Sequence, residues 1–193
     1  MVAIYPPRPR NAEATKAAIM AAARGLFARG SYDTVGIREI AGEAGVDPAL
    51  VSRYFGSKED LFAAVLNRPE KIERIADLFG GDAATLAERT ADMILEEPGD
   101  ENTVDDFLIM LNSIASATAS GMVRETILER CDRPVAAMLD GPHAEIRARM
   151  LGALIIGHIM NRAMWGELSE DPALRARVRE RIVEQVRLSL SAL

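Results

Sequence analysis

Arg38, Ser52, Arg53, Tyr54 and Lys58 lie between positions 38 and 58 of a chain whose net charge is −6. A guanidinium offers a planar fork of donors that fits a phosphate or the N7/O6 edge of guanine, an ammonium acts as a point charge, and a hydroxyl or phenol donates singly. The stretch VDPALVSRYFGSKEDLF, residues 46 to 62, sets an arginine, a lysine and aromatic residues close together, groups that by themselves fit either a contact with nucleic acid or ordinary solvated charges and rim residues. Groups for covalent or metal chemistry are sparse. His143, His158 and Cys131 are the only soft ligands besides methionine, and their spacings match neither HExxH nor paired-cysteine sites. No phosphate-cradling glycine loop and no GxSxG occurs. The expectation is a non-enzyme with no catalytic residues, no metal and no cofactor.

Charge is distributed unevenly. Residues 1–60 carry 8 Lys/Arg against 7 Asp/Glu, so the acidity belongs to the rest of the chain. With 49% hydrophobic and 27% charged residues, the composition is that of a folded globular protein. One cysteine excludes an intramolecular disulfide and suits a reducing compartment. No signal-like segment opens the sequence, and the longest apolar stretch, 150–165, is interrupted by His158, Asn161 and Arg162. These features point to the cytoplasm, with no membrane partner.

The elements that would position the cationic cluster are helices. Residues 1–10 hold three prolines and two arginines without periodicity and read as a flexible basic arm. Ile19, Ala22, Ala23, Leu26 and Phe27 repeat at helical spacing, and Gly30 ends that run. Ile37, Ile40, Ala41 and Ala44 mark a short second helix broken by Gly45. Asp47 is a good N-cap, Pro48 is favoured at the first helical position, and Val51 and Phe55 point the same way. Gly56 then ends the third helix and Ser57 caps a fourth that carries Leu61, Phe62, Val65 and Leu66.

Two short helices meeting at a tight glycine turn form a helix-turn-helix, whose second helix fits the major groove. Residues 23–66 resemble the tetracycline-repressor (TetR) family of bacterial transcriptional regulators. The likeness lies in LFAxG, in the G-x-x-x-T-x-x-x-x-x-I-A-x-x-A-G-V core, and in YFGSKEDL. It implies that Ala49, Leu50, Ser52, Arg53 and Tyr54 face DNA, that Arg38 contacts a base or phosphate, and that Lys58 clamps a phosphate. Gly36 stands where the family commonly has threonine, Ala49 and Leu50 replace a common Gly-Thr pair, and Ser52 replaces a frequent tyrosine.

The remainder reads as helices over 70–79, 83–97, 103–119, 122–140 with a break near Pro134, 143–167 and 171–192, with no alternating strand pattern. Gly80-Gly81, Pro98-Gly99, Gly121 and Gly141-Pro142 punctuate them. The fold expected is all-α, with an N-terminal three-helix helix-turn-helix domain, 11–60, and a larger C-terminal helical domain, 61–193. The resemblance implies that the larger domain binds an effector and dimerises through its last two helices. Met150 to Met164 cover too wide an apolar arc for one intramolecular contact. Phe107, Met110, Leu111, Ile114, Met122, Ile127, Met138, His158 and Trp165, with Met160 and Met164, are candidates to line an effector cavity.

The leading expectation is thus a homodimeric repressor that binds a double-stranded operator with inverted-repeat symmetry and is released by an unknown small-molecule effector. A small helical enzyme and a protein-interaction module are the alternatives, each using the C-terminal cavity or surface.

Overall fold

The computed structural model describes residues 9–95, 102–166 and 171–192, and among these every regular element is helical. Residues 1–8 of the expected arm and the Pro98-Gly99 break lie outside the described residues; Pro9 and Arg10 are already helical. The elements are α1 (Pro9–Arg29), α2 (Ile37–Glu43), α3 (Pro48–Phe55), α4 (Lys58–Leu66), α5 (Pro69–Phe79), α6 (Leu86–Leu95), α7 (Asn102–Ser113), α8 (Ala117–Ile127), α9 (Arg133–Ala137), α10 (Ala144–Trp165) and α11 (Pro172–Leu190). A 3-10 turn, Ala83–Thr85, leads into α6, and a π-helical segment, Leu128–Asp132, joins α8 to α9.

The chain divides into two compact units. The first runs to Asn67 and also takes in Leu108–Met122; the second holds Arg68–Phe107 and the residues from Val123 onward. This division differs from a boundary at residue 60. Leu61, Phe62 and Val65 are fully buried, and the Phe62 ring meets Phe27 and Tyr32 edge-on, each pair at 5.0 Å between centroids. Such ring pairs add about 0.5–1.5 kcal/mol each beyond area burial, so α4 belongs with α1. The α7–α8 corner joins the same unit by polar contacts. Asn112 Nδ2 donates to the Ala28 carbonyl at 2.7 Å, and the Ser116 hydroxyl donates to Asp33 Oδ1 at 3.0 Å.

That corner also corrects two expected boundaries. A single helix over 103–119 is interrupted after Ser113, and Gly121 lies inside α8 rather than between helices. The reason is capping: Ser116 accepts from the Ala119 N–H at 3.2 Å and starts a new helix, while the Ser113 hydroxyl turns back to the Ile109 carbonyl at 2.6 Å. Near Pro134 the chain stays helical. The missing N–H is tolerated because Pro134 sits in the first turn of α9, beside the π segment.

In the second unit α6, α10 and α11 enclose Leu86, Ala87, Ala91, Leu151, Ile182 and Val186. Helix ends are closed by guanidinium groups. Arg162 donates to the Ile94 carbonyl at 2.8 Å and Arg175 to that of Leu95, so both serve the C-terminal end of α6. Arg147 is 5% exposed and donates to the carbonyls of Leu190, Asp140 and Pro142. These dipoles carry the partial negative charge of helix and turn ends, which suits a cation. Arg147→Met is expected to lower the unfolding free energy by about 2–3 kcal/mol, because buried carbonyls lose charge-assisted bonds. Urea denaturation at fixed protein concentration measures it.

Candidate nucleic-acid interface

The turn between α2 and α3 is built from backbone. Gly45 adopts φ +67, the left-handed conformation in which a side chain is disfavoured. The Val46 N–H then reaches the Ala41 carbonyl at 2.9 Å and the Gly45 N–H reaches that of Gly42 at 3.2 Å. This pair of bonds is a Schellman closure of α2. The chain enters α3 at once: Asp47 accepts from the Ala49 N–H at 2.8 Å and Pro48 occupies the first turn.

Val51 is fully buried, as are Ile40 and Ala41 on α2. With Val51 inward, helical periodicity turns Ala49, Ser52 and Arg53 outward, and all three are exposed; Leu50 and Tyr54 are half-buried at the edges. Phe55, expected to face inward, is half-buried. Arg38 is exposed on α2. Gly36 precedes α2 with no side-chain cap, and only Glu39 reaches back, accepting from the Gly36 N–H at 3.5 Å. The threonine position is therefore an uncapped N-terminus here.

Lys58 is placed by its surroundings. Gly56, at φ +84, turns the chain between α3 and α4, and a Cβ there would stand 2.7 Å from Asp60 Oδ2. Ser57 and Asp60 form a capping box: the Asp60 N–H donates to Ser57 Oγ at 3.1 Å, and the Ser57 N–H donates to Asp60 Oδ2 at 2.9 Å. Lys58, next in the chain, sets its ammonium 4.3 Å from the centroid of the Tyr32 ring. Burial, and next the Glu59 carboxylate, push the Tyr32 phenol well up; Glu59 itself is held below its ordinary value, chiefly by its own backbone N–H. Lys16 of α1 approaches the Tyr54 ring at 5.9 Å. Tyr32 and Lys16 had escaped the sequence reading, because both contacts join distant segments and no local spacing marks them.

The expected cavity residues fall in different units. Met110, Leu111, Ile114 and Met122 belong to the first, and Phe107, Ile127, Met138, His158 and Trp165 to the second. Phe107 is buried and Met138 packs on the second core, while His158 Nε2 lies 3.2 Å from Gln185 Oε1. Ile114 and Trp165 are 68% and 71% exposed, which corrects their assignment to an interior lining. Ile114 sits in the break between α7 and α8, and Trp165 is the last residue of α10. Met160 and Met164 are exposed as well. A depression of about 250 Å³ on α6 and α11 is lined by Glu88, Arg179, Glu180, Val183, Glu184 and Arg187, a charged surface sharing none of these residues. Among the described residues, no group of three or more His, Cys, Asp or Glu side chains is placed to hold a metal.

Two family models match the chain. Residues 19–65 match "Bacterial regulatory proteins, tetR family", and residues 84–192, more than half the chain, match "Tetracyclin repressor-like, C-terminal domain". The chain belongs to the TetR family. Its curated relatives include the HTH-type transcriptional repressor Rv3405c of Mycobacterium tuberculosis, 38% identical over 85 residues, 44% of each chain. Another is the HTH-type transcriptional repressor SCO4008 of Streptomyces coelicolor, 44% identical over 59 residues, 31% of each. The match thus spans less than half the length of these relatives. Among solved structures, NalD, the secondary repressor of the MexAB-OprM multidrug efflux pump in Pseudomonas aeruginosa, superposes with a TM-score of 0.65 at 19% identity, covering 93% of this chain and 97% of that one. The multidrug binding protein EbrR, complexed with imidazole, gives 0.66 at 20%, covering 100% and 99%. At such identities the likeness is one of TetR-type fold.

Two expectations concern the roles that the resemblance gives Lys58 and Arg53. If Lys58 clamps a phosphate and Arg53 forks onto a guanine, as the resemblance implies, Lys58→Ala should weaken binding to all DNA alike and lower the salt slope by roughly one unit, whereas Arg53→Ala should cost about 1–3 kcal/mol on the preferred site and relax one base position. Fluorescence anisotropy titrations at several salt concentrations separate the two. The cap carries a pH signature. Hydrogen bonds from the Ser57 hydroxyl and then its N–H lower the Asp60 carboxyl from its usual 3.8. That contribution is complete above the unfolded value and is lost as pH falls through the lower folded value. Ser57→Ala should therefore lower the melting temperature by roughly a few degrees at pH 7, with the gap narrowing below about pH 4. Thermal melts across pH read it.

Proposed function

We propose that this protein is a transcriptional repressor that grips an inverted-repeat operator as a homodimer and lets go when a small molecule binds its second unit. The observation carrying the DNA-binding part is α3 itself, with Val51 fully buried and Ala49, Ser52 and Arg53 exposed on the opposite face. Arg38 and Lys58 supply contacts from the adjoining helices. The names of the curated relatives support repression. No helix among the described residues is long and apolar enough to cross a membrane, and we place the protein in the cytoplasm with its DNA.

Dimerisation through α10 and α11 is supported by an exposed stripe. Ile146, Met150, Ala153, Gly157, Met160 and Met164 recur at alternating four- and three-residue steps along α10, and all are exposed in the single chain. This is a coiled-coil-like seam whose small central residues permit close approach of a second copy. Leu174 and Leu188 add exposed apolar surface on α11.

Phe107, Ile127, Met138 and His158 are the effector contacts we retain in the second unit. An effector releases DNA only by its difference in affinity between competent and incompetent states; a coupling of about 1–3 kcal/mol changes operator affinity roughly 5–150-fold. Footprinting should protect a symmetric site with half-sites about 34 Å apart or slightly more. Ala153→Arg should shift the sedimentation profile to monomer and abolish that symmetric protection. A dimeric Ala153→Arg protein with intact footprint would remove α10 from the interface, and an asymmetric half-site bound by a wild-type monomer would defeat the whole reading.

A further inference from the structure

Within the second unit, Arg68, Lys71 and Asp106 form an ion cluster that DNA contact does not require. Arg68 is the N-cap of α5, Lys71 lies in its first turn, and Asp106 is on α7. The Arg68 guanidinium donates to Asp106 Oδ1 at 2.7 Å. Lys71 Nζ stands 3.6 Å from Asp106 Oδ2, beyond hydrogen-bond reach. The three side chains are 12, 18 and 11% exposed, in that order, and Asp106 Oδ2 is buried without a hydrogen-bond partner.

Lys71 is thus a largely desolvated ammonium whose facing carboxylate already serves a guanidinium. Burial lowers its pKa, Asp106 opposes that shift and Arg68 adds to it. Cys131 is the remaining group that acts on it, and burial pushes that thiol up to about 11, so it brings no negative charge at neutral pH. Cys131 belongs to the π-helical segment Leu128–Asp132, which neighbours α5. Such segments widen a helix locally and recur at functional sites. Ile75, one turn beyond Lys71 on α5, and Cys131 both pack on the apolar core, so the ammonium borders an apolar wall.

We propose that Lys71 is the anion-recognising group of the effector site, and that the effector is an organic acid whose carboxylate takes the place of Asp106 at the ammonium. An apolar body then lies along the Ile75 and Cys131 side. A charge-assisted contact made where water is scarce is strong, and it brings a short hydrogen bond to an ammonium that Asp106 meets only as an ion pair at 3.6 Å. This inference rests on reading the second unit as an effector-binding domain.

The test uses the full chain with sodium benzoate, its uncharged isostere benzamide, and inorganic phosphate, all at constant ionic strength. Benzoate should raise the melting temperature saturably, while benzamide and phosphate should not. Lys71→Gln should weaken benzoate binding roughly tenfold or more in calorimetric titration. Asp106→Asn should tighten it, since the internal competitor is gone; a merely structural cluster would bind more weakly or not at all. No saturable response to benzoate, an equal response to benzamide or phosphate, or unchanged affinity in Lys71→Gln would each overturn the inference. Operator titration of the same preparations keeps the two readings apart. A protein that binds operator and ignores benzoate defeats this inference alone, whereas one that binds no operator defeats the repressor reading.

Discussion

What α3 presents to DNA depends on the backbone of one residue, Gly45. Its left-handed conformation lets the Val46 and Gly45 N–H groups close α2 onto the carbonyls of Ala41 and Gly42, so that only four residues separate α2 from α3. A residue with a β-carbon there is strained by about 1–2 kcal/mol, and relief would open the angle between the two helices. With the angle set, Ile40, Ala41 and Val51 are all fully buried. The outward direction of Ala49, Ser52 and Arg53 is then a consequence of helical period.

The same unit holds its cations by less specific forces. Lys58 lies over the Tyr32 ring, and that ring is itself held by Phe27 and Phe62, so an aromatic core residue orients a surface ammonium. Asn112 and Ser116 tie the α7–α8 corner to Ala28 and Asp33. The DNA-reading unit is therefore more than the first part of the chain. Its last pieces are the adjoining ends of α7 and α8, two helices whose residues are divided between the units.

In the second unit, apolar burial and backbone capping divide the work. Leu86, Leu151, Ile182 and Val186 supply the area, while Arg147, Arg162 and Arg175 satisfy carbonyls that end helices and turns. Arg179 pairs with Asp92, and Arg187 with Glu88, across the α6–α11 contact. Half-exposed pairs of this kind contribute little to stability and more to register. Their presence explains why α11 alternates arginine with apolar residues although it buries only a narrow stripe.

The all-helical architecture and the local elements of the first unit were legible in the sequence, because their signals are short-range. Helical spacing marked Ile19 to Phe27, and cap chemistry marked Asp47, Pro48 and Ser57; the turn at Gly45 followed from the same patterns, and the outward placement of Ser52 and Arg53 from the resemblance to the TetR family. Tertiary structure alone decided what joins residues far apart in the chain. It placed Tyr32 under Lys58, Lys16 beside Tyr54 and Asp106 between Arg68 and Lys71, contacts that no periodicity encodes. It also set Ile114 and Trp165 on the surface. An apolar residue on a helix reports that some face is apolar, whereas its burial is settled by which neighbour covers that face.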